Sequence, residues 1–423
     1  MFIKTTQLKH RKICRSLFIG LLTSLMLVSA VLVNAQSTAA GKNTTAPSGS
    51  AEEKTYDGYT IAASAEIGWR WRSIDGNENK YRSDLNYKPG FRTFDSNLFI
   101  HSDSGKGKYF DSLLISNSGW GSDPNGYFRV NMEKIGVYKY NSTLRRISYF
   151  NNLSNYVAVP DPNQHTQNTD NTMGDVDITF LPQNKLIRFN LGASLGNYKG
   201  PGTTTMRWNG DEFKIDSRTS NKTADFRFGV DGSLAGFDWG LTESIRKYRD
   251  RSSFAINSLN QGNNTPTNTT PPNTTAVSNF SRLFPTDGQA YFSQFNLHRT
   301  IADKLDFTGR VIYSTTDTVM NLTEIVLGRD ASNNFIDSDT YTANAGSKRP
   351  QTRTDLGATY NVTNDFRISN TFTFDQFAVN GGENFSQLAI RRNSSGSGTN
   401  RPSRSKTANI RCKSPRNFAR HFI

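Results

Sequence analysis

Apolar and polar residues alternate one by one along the segment YTIAASAEIGWRW. Tyr59, Ile61, Ala63, Ala65, Ile67, Trp69 and Trp71 take the odd places, while Thr60, Ser64, Glu66, Gly68 and Arg70 take most of the even ones. Successive side chains of a strand point to opposite faces, so this segment is a strand with one apolar and one polar face. The design recurs in LIRFNLGASL, where Ile187, Phe189, Leu191, Ala193 and Leu195 stand opposite Arg188, Asn190 and Ser194. In DFRFGVDGSL it sets Phe226, Phe228, Val230 and Leu234 against Asp225, Arg227 and Asp231, and in LDFTGRVIY it sets Leu305, Phe307, Val311 and Tyr313 against Asp306, Thr308 and Arg310. FDWGLTESI carries Phe237, Trp239, Leu241 and Ile245 on its apolar side, with Glu243 among them as an exception.

Read this way, the chain predicts about thirteen strands, near residues 59–72, 89–101, 108–117, 126–133, 136–149, 173–181, 186–198, 224–234, 237–249, 289–299, 304–315, 353–362 and 366–378. Short turns fall at Pro182–Lys185, Ala235–Gly236, Thr300–Asp303 and Thr363–Asp365, and long polar loops at Lys199–Thr223, Asp250–Gly288 and Thr316–Thr352. Alternating strand direction puts every long loop at one end and every short turn at the other.

The N-terminus adds an address. Lys4, Lys9, Arg11, Lys12 and Arg15 precede the apolar run Leu17–Val33, and small side chains at Val33 and Ala35 complete a secretory signal peptide over residues 1–35, cleaved after Ala35. Residues 36–57 are rich in Ser, Thr, Gly and Ala and read as a flexible periplasmic leader, too short to form a plug domain. Cys14 lies in the signal peptide, which leaves Cys412 alone in the exported chain and rules out a disulfide framework. The net charge of +14 points at first to nucleic acid. Its location removes that reading: five basic residues and no acid occupy the signal peptide, nine and none follow Ile390, and the region between is neutral.

At 35% hydrophobic and 12% aromatic, the chain is poor in aliphatic residues and has no second run long enough for a spanning helix. Long two-faced strands, short turns at one end, long loops at the other and a signal peptide together predict an all-β fold, an antiparallel transmembrane β-barrel over residues 58–390 in the outer membrane of a diderm, Gram-negative bacterium. On that reading Tyr59, Trp69, Trp71, Trp239 and Tyr313 are lipid-interface aromatics, and Arg70, Arg188, Asn190, Arg227, Asp231 and Arg310 face the lumen. The alternative is a soluble secreted or surface β protein whose apolar faces pack against each other and whose long loops bind ligands.

Chemistry-bearing patterns are sparse, and a non-enzymatic protein is expected. His101, His165, His298 and His421 have no metal-ligand spacing to one another or to Cys412. His298 on the polar side of AYFSQFNLH is the one candidate for a Ser/His hydrolase, but it faces away from a lipid substrate. DSD at Asp337–Asp339 and DVD at Asp175–Asp177 read as an ordinary loop and a strand facing water.

The run EIGWRWRSIDGNENKYRSDLNYKPGFR, followed by SGWGSDPNGYFRVNMEKIGVYKYNSTLRRISYF, resembles outer-membrane barrels of the MtrB/PioB type, over roughly residues 59–380. The resemblance implies a sheath around a multihaem cytochrome that passes electrons across the membrane. Some members carry a Cys-x-x-Cys near the mature N-terminus, which this chain lacks. It has no Cys-x-x-Cys-His either, so no cofactor is expected in the chain itself and any haem belongs to a partner cytochrome. Outer-membrane lipid and the outer-membrane assembly machinery are the other expected partners, with no nucleic acid. A porin-like solute channel is the alternative within the same fold.

An odd strand count conflicts with the even number usual in bacterial barrels. A fourteenth strand is expected to begin at Asn384–Ile390, after which residues 391–423 read as a basic, disordered tail. The expectation is therefore an incomplete barrel, its gene truncated or frameshifted.

Overall fold

The computed structural model describes residues 54–103, 105–152, 165–263, 274–363, 365–393, 398–413 and 417–422. The segments expected to be signal peptide and most of the leader lie outside them. The protein is all-β, a large antiparallel sheet with one short helix, and among the described residues no helix is long and apolar enough to cross a membrane.

The strands are β1 (Lys54–Tyr56), β2 (Tyr59–Arg70), β3 (Gly90–Ser102), β4 (Ser112–Ser118), β5 (Asn125–Lys134), β6 (Tyr138–Asn152), β7 (Thr166–Phe180), β8 (Arg188–Trp208) and β9 (Asp211–Leu234). They continue as β10 (Phe237–Asp250), β11 (Ser253–Ile256), β12 (Ala276–Leu283), β13 (Thr286–Ile301), β14 (Leu305–Arg329), β15 (Phe335–Asn361), β16 (Arg367–Arg392), β17 (Gly398–Lys413) and β18 (Asn417–Phe422). Each of the thirteen predicted segments lies within or overlaps one of these strands.

Neighbours in sequence pair with one another from β1 to β9. Beyond β9, strands share columns. β10 and β11 both pair with β9, β12 and β13 both pair with β14, and β17 and β18 both pair with β16. Counted from β2, the described strands make fourteen columns.

Three expectations are corrected. The segment Asn384–Ile390 is the far half of β16 rather than a new strand, and the fourteenth column is built from the tail, as β17 and β18. Ladder bonds run between main-chain groups, so a strand needs no alternating side chains when a neighbour already offers a free edge. The leader ends in strand: Lys54–Tyr56 folds back on Tyr59–Ile61 through Asp57 and Gly58, at φ 49° and 78°. The long polar loops are largely strand as well. β8 and β9 stay in register from Arg188↔Asp231 to Trp208↔Asp211 and turn through Asn209 and Gly210, both at positive φ (48° and 86°), which is the geometry of a tight hairpin turn. β14 and β15 extend in the same way to a tip at residues 330–334.

Side-chain polarity inverts along these extensions. In the near part of β8 and β9 the face bearing Arg188, Arg227 and Asp231 is polar, yet the same face farther out carries Met206, Trp208, Phe213 and Ile215. There they meet Phe254 and Ile256 of β11, Val277 and Phe280 of β12 and Val326 of β14 in a buried cluster in which Phe213 is 0% exposed. This cluster is the main hydrophobic core among the described residues, and it lies outside the near part of the sheet.

Between β2 and β3 lies a helix the alternation did not predict, α1 (Glu78–Asp84). Asn77 caps it by accepting from the Lys80 amide at 3.1 Å. Asn86, just beyond it, donates to the Ser148 carbonyl at 3.1 Å, and the Arg82 guanidinium lies 3.8 Å from the centre of the Phe150 ring, which anchors the connection on β6.

At the opposite, short-turn end, Asp111 ties two turns together. Burial pushes its carboxyl up, but the Ile135 amide (2.7 Å), the Lys134 ammonium (3.1 Å) and the Gly107 amide (2.8 Å) outweigh that and hold it below its ordinary 3.8. A carboxyl depressed by folding contributes stability that is fully present above its unfolded value and is lost as pH falls through the folded one. Asp111→Asn is thus expected to be less stable than wild type at neutral pH, with the gap closing below pH 3.8 in urea titrations. A gap that persists in acid would show that the charge is not the source.

Candidate functional site

The near part of the polar face carries a lattice of ion pairs. Arg188 of β8 donates its Nε to Asp231 of β9 at 2.6 Å. The second oxygen of Asp231 accepts from Asn190 at 2.7 Å, and Asn190 in turn accepts from Thr179 of β7 at 2.8 Å. One row farther, Arg227 reaches Asp177 at 3.1 Å and donates to Ser194 at 2.7 Å. Asp225 receives Arg246 of β10 at 2.8 Å and Ser244 at 3.1 Å. Across β14 to β16, Asp355 accepts from Arg310 at 2.6 Å, from Arg353 at 3.1 Å and from Thr373 at 2.9 Å.

Glycines make room for these side chains to lie along the sheet. A Cβ on Gly192 would stand 2.8 Å from the Arg227 Nε and 2.7 Å from the Asp177 carboxylate, and one on Gly288 would stand 2.0 Å from the Tyr248 ring. The first would push a lattice side chain off the surface, and the second would push off Tyr248, which pairs with Thr318 on the same face.

Between the two halves of the lattice the row Arg188–Asp231–Gly240–Asn296–Arg310–Asp355 dips at Gly240. An open cleft of about 780 Å³ forms there, lined among others by Arg188, Asp231, Asp238, His298, Arg310 and Asp355. His298 sits between two carboxylates, with Nε2 2.6 Å from Asp306 and Nδ1 3.6 Å from Asp238. The cleft is therefore strongly polar and has both signs of charge on its walls. Among the described residues no group of three or more His, Cys, Asp or Glu side chains forms a metal site.

Arg188, Asn190, Asp231 and Arg310, all named from sequence, come together here, and Arg227 lies in the adjoining row. Arg70 does not. It pairs with Asp123 at 2.8 Å beside Arg92 and stacks over Tyr87 at 4.2 Å, at the other end of the sheet's strand order. Trp69 and Trp71 are exposed side by side with ring centres 6.5 Å apart, and Tyr313 is exposed on the apolar face. Trp239 is half-buried, and Tyr59 packs its ring 5.2 Å from Phe110 while donating to the Phe110 carbonyl. Sequence reasoning passed over Asp355, Arg353 and Arg246. Their only signal was a place on the polar side of a strand, which does not say which neighbour stands opposite. Glu243, the exception on the apolar face, accepts from Ser293 of β13 at 2.5 Å.

Comparison with family models, with curated proteins and with solved structures finds no match to this chain.

Because one carboxylate serves three donors, Asp355→Asn should cost about 1–2 kcal/mol, more than Arg310→Gln or Arg353→Gln, which leave it partly satisfied. Thermal unfolding of the three variants checks the order, and equal losses would mean the bonds act separately.

Proposed function

We propose that the chain is a non-enzymatic outer-membrane β-barrel whose polar face lines a transmembrane conduit. The observation that carries this reading is a band of large apolar side chains that face no core. In one row, Phe180, Phe189, Val230, Leu241, Phe295 and Val311 stand on six successive columns. Phe226 is 54% exposed, Tyr313 46%, Val311 42% and Phe295 41%. Along β13 the band runs from Ile301 to Tyr291, with Arg299 and Ser293 as polar members within it, about 33 Å of strand at roughly 3.3 Å per residue. At a strand tilt of about 40° that is about 25 Å in height, the thickness of the apolar band of an outer-membrane barrel. A soluble protein that left such a surface in water would aggregate, whereas lipid satisfies it. Pairing the first and last columns would remove the sheet's edges, which hydrocarbon does not tolerate.

In this reading the hairpin extensions with their own buried cluster stand outside the cell, and the short turns face the periplasm. The resemblance to MtrB/PioB-type barrels supports a multihaem cytochrome as the occupant of the conduit. A second reading, a porin-like solute channel, is supported by the open cleft with both charge signs on its walls.

Two measurements test these readings. After expression in a diderm host the chain should stay with the membranes through a carbonate wash. Phe189→Arg should cost about 2–4 kcal/mol, while Asn190→Arg should cost little; release into the wash, or equal tolerance of both substitutions, would defeat the barrel. For the conduit, a stoichiometric haem signal in the protein purified from its native membranes is expected for the sheath, and ion conductance in planar bilayers without haem would transfer the assignment to the channel.

A further inference from the structure

Directly beyond the apolar band, on the same face, the three columns β8 to β10 carry a concentrated positive patch. Lys199 of β8, Arg218 and Lys222 of β9, and Lys247 and Arg249 of β10 are all exposed there. Lys222 stands directly opposite Arg249, and Lys247, opposite Ala224, is its diagonal neighbour on β10. Lys199, opposite Ser220, is its diagonal neighbour on β8. Cross-strand neighbours of this kind are separated by only about 5–8 Å, and like charges so placed repel.

The surrounding acids do not neutralise the patch. Asp287 is shared by Arg249 at 3.0 Å and Arg251 at 2.6 Å. Asp170, opposite Lys199 in the register, is held by Arg146 at 3.3 Å. Asp216 lies two residues from Arg218. Among the described residues, Lys199, Arg218, Lys222 and Lys247 have no ion-pair partner.

The next row towards the short turns is the edge of the band, with Ala193, Phe226, Ile245 and Tyr291 in register. We propose that this patch is a binding site for the phosphate-bearing headgroups of the outer-leaflet lipid. It rests on the barrel reading above. Apolar rows would meet the acyl chains, and the first polar rows beyond them would meet the headgroups, at the height where Lys199, Lys222 and Lys247 project. Several cations on adjacent strands fit a group carrying more than one phosphate, whose charge relieves their mutual repulsion. A free anion gains only the charge contact, whereas a lipid gains it together with the apolar rows beneath.

The test uses the full chain reconstituted in vesicles of neutral phospholipid doped with diphosphoryl lipid A, with its dephosphorylated form, or with neither. Lipid retained on the protein is then read by native mass spectrometry. The diphosphoryl form is expected to be held at least tenfold more than the dephosphorylated one. Since each cation near a charged leaflet contributes about fivefold, removing three is enough to abolish a tenfold preference, and the triple variant Lys199→Gln, Lys222→Gln, Lys247→Gln should hold the two lipids equally at low salt. Lys348→Gln, on the same face of β15, should keep it, as should Lys222→Arg. A preference unchanged in the triple variant, equal retention of both lipids, or displacement by equimolar inorganic phosphate would each overturn the site. A chain that stays in carbonate-washed vesicles without a phosphate preference overturns the site alone, whereas a chain not held by vesicles of any composition overturns the barrel as well.

Discussion

The structure depends on main-chain register. From β7 through β10 and β13 to β16, ladders join neighbouring strands residue to residue, interrupted only by isolated irregularities. Each side chain is thereby assigned to one of two faces, and a slip of one residue in any strand would send its charges to the apolar side. The lattice of Arg188, Asp231, Arg310 and Asp355 exists because six strands agree on this assignment, and so does the apolar band behind it.

That constraint also explains why the polar face is so fully paired. Charges crowded onto one side of a sheet at strand spacing either meet opposite charges or repel. The sequence places Asp225, Asp231 and Asp355 so that each is within reach of an arginine on a neighbouring strand, and Asp355 also of Arg353 on its own. Glycines at 192 and 288 let the longer side chains lie flat over them. The neutrality of residues 36–390 is the arithmetic trace of this pairing. The positive patch on the opposite face stands out because the same rule is not met there.

Alternation made much of the near sheet legible. Ile187 to Leu195 and Phe226 to Leu234 declared both their strands and their faces, because a strand with two different surroundings must have period two. The extensions were illegible for the same reason. Met206, Trp208, Phe213 and Ile215 sit on the face that is polar nearer the short turns, so the pattern changes sign in mid-strand and looks like loop. In the tail, β17 and β18 carry no alternation at all. Of the site, the members with long one-sided context, such as Arg188 and Asp231, were readable. Arg70 was named as a polar-face residue, but its partner Asp123 comes from a connection whose path no periodicity reveals.

The buried cluster at the ends of the hairpins joins Met206 to Val326, more than a hundred residues apart in the chain. No single hairpin owns enough of it to be stable alone, since its walls come from β8, β9, β11, β12 and β14 together. Contacts of such long sequence separation form late, after the intervening loop entropy has been overcome. The walls of the cluster are thus complete only when β14 is in place beside β12. It fastens together strands that lie far apart in the chain, at the end of the sheet where the ladders alone join only neighbours.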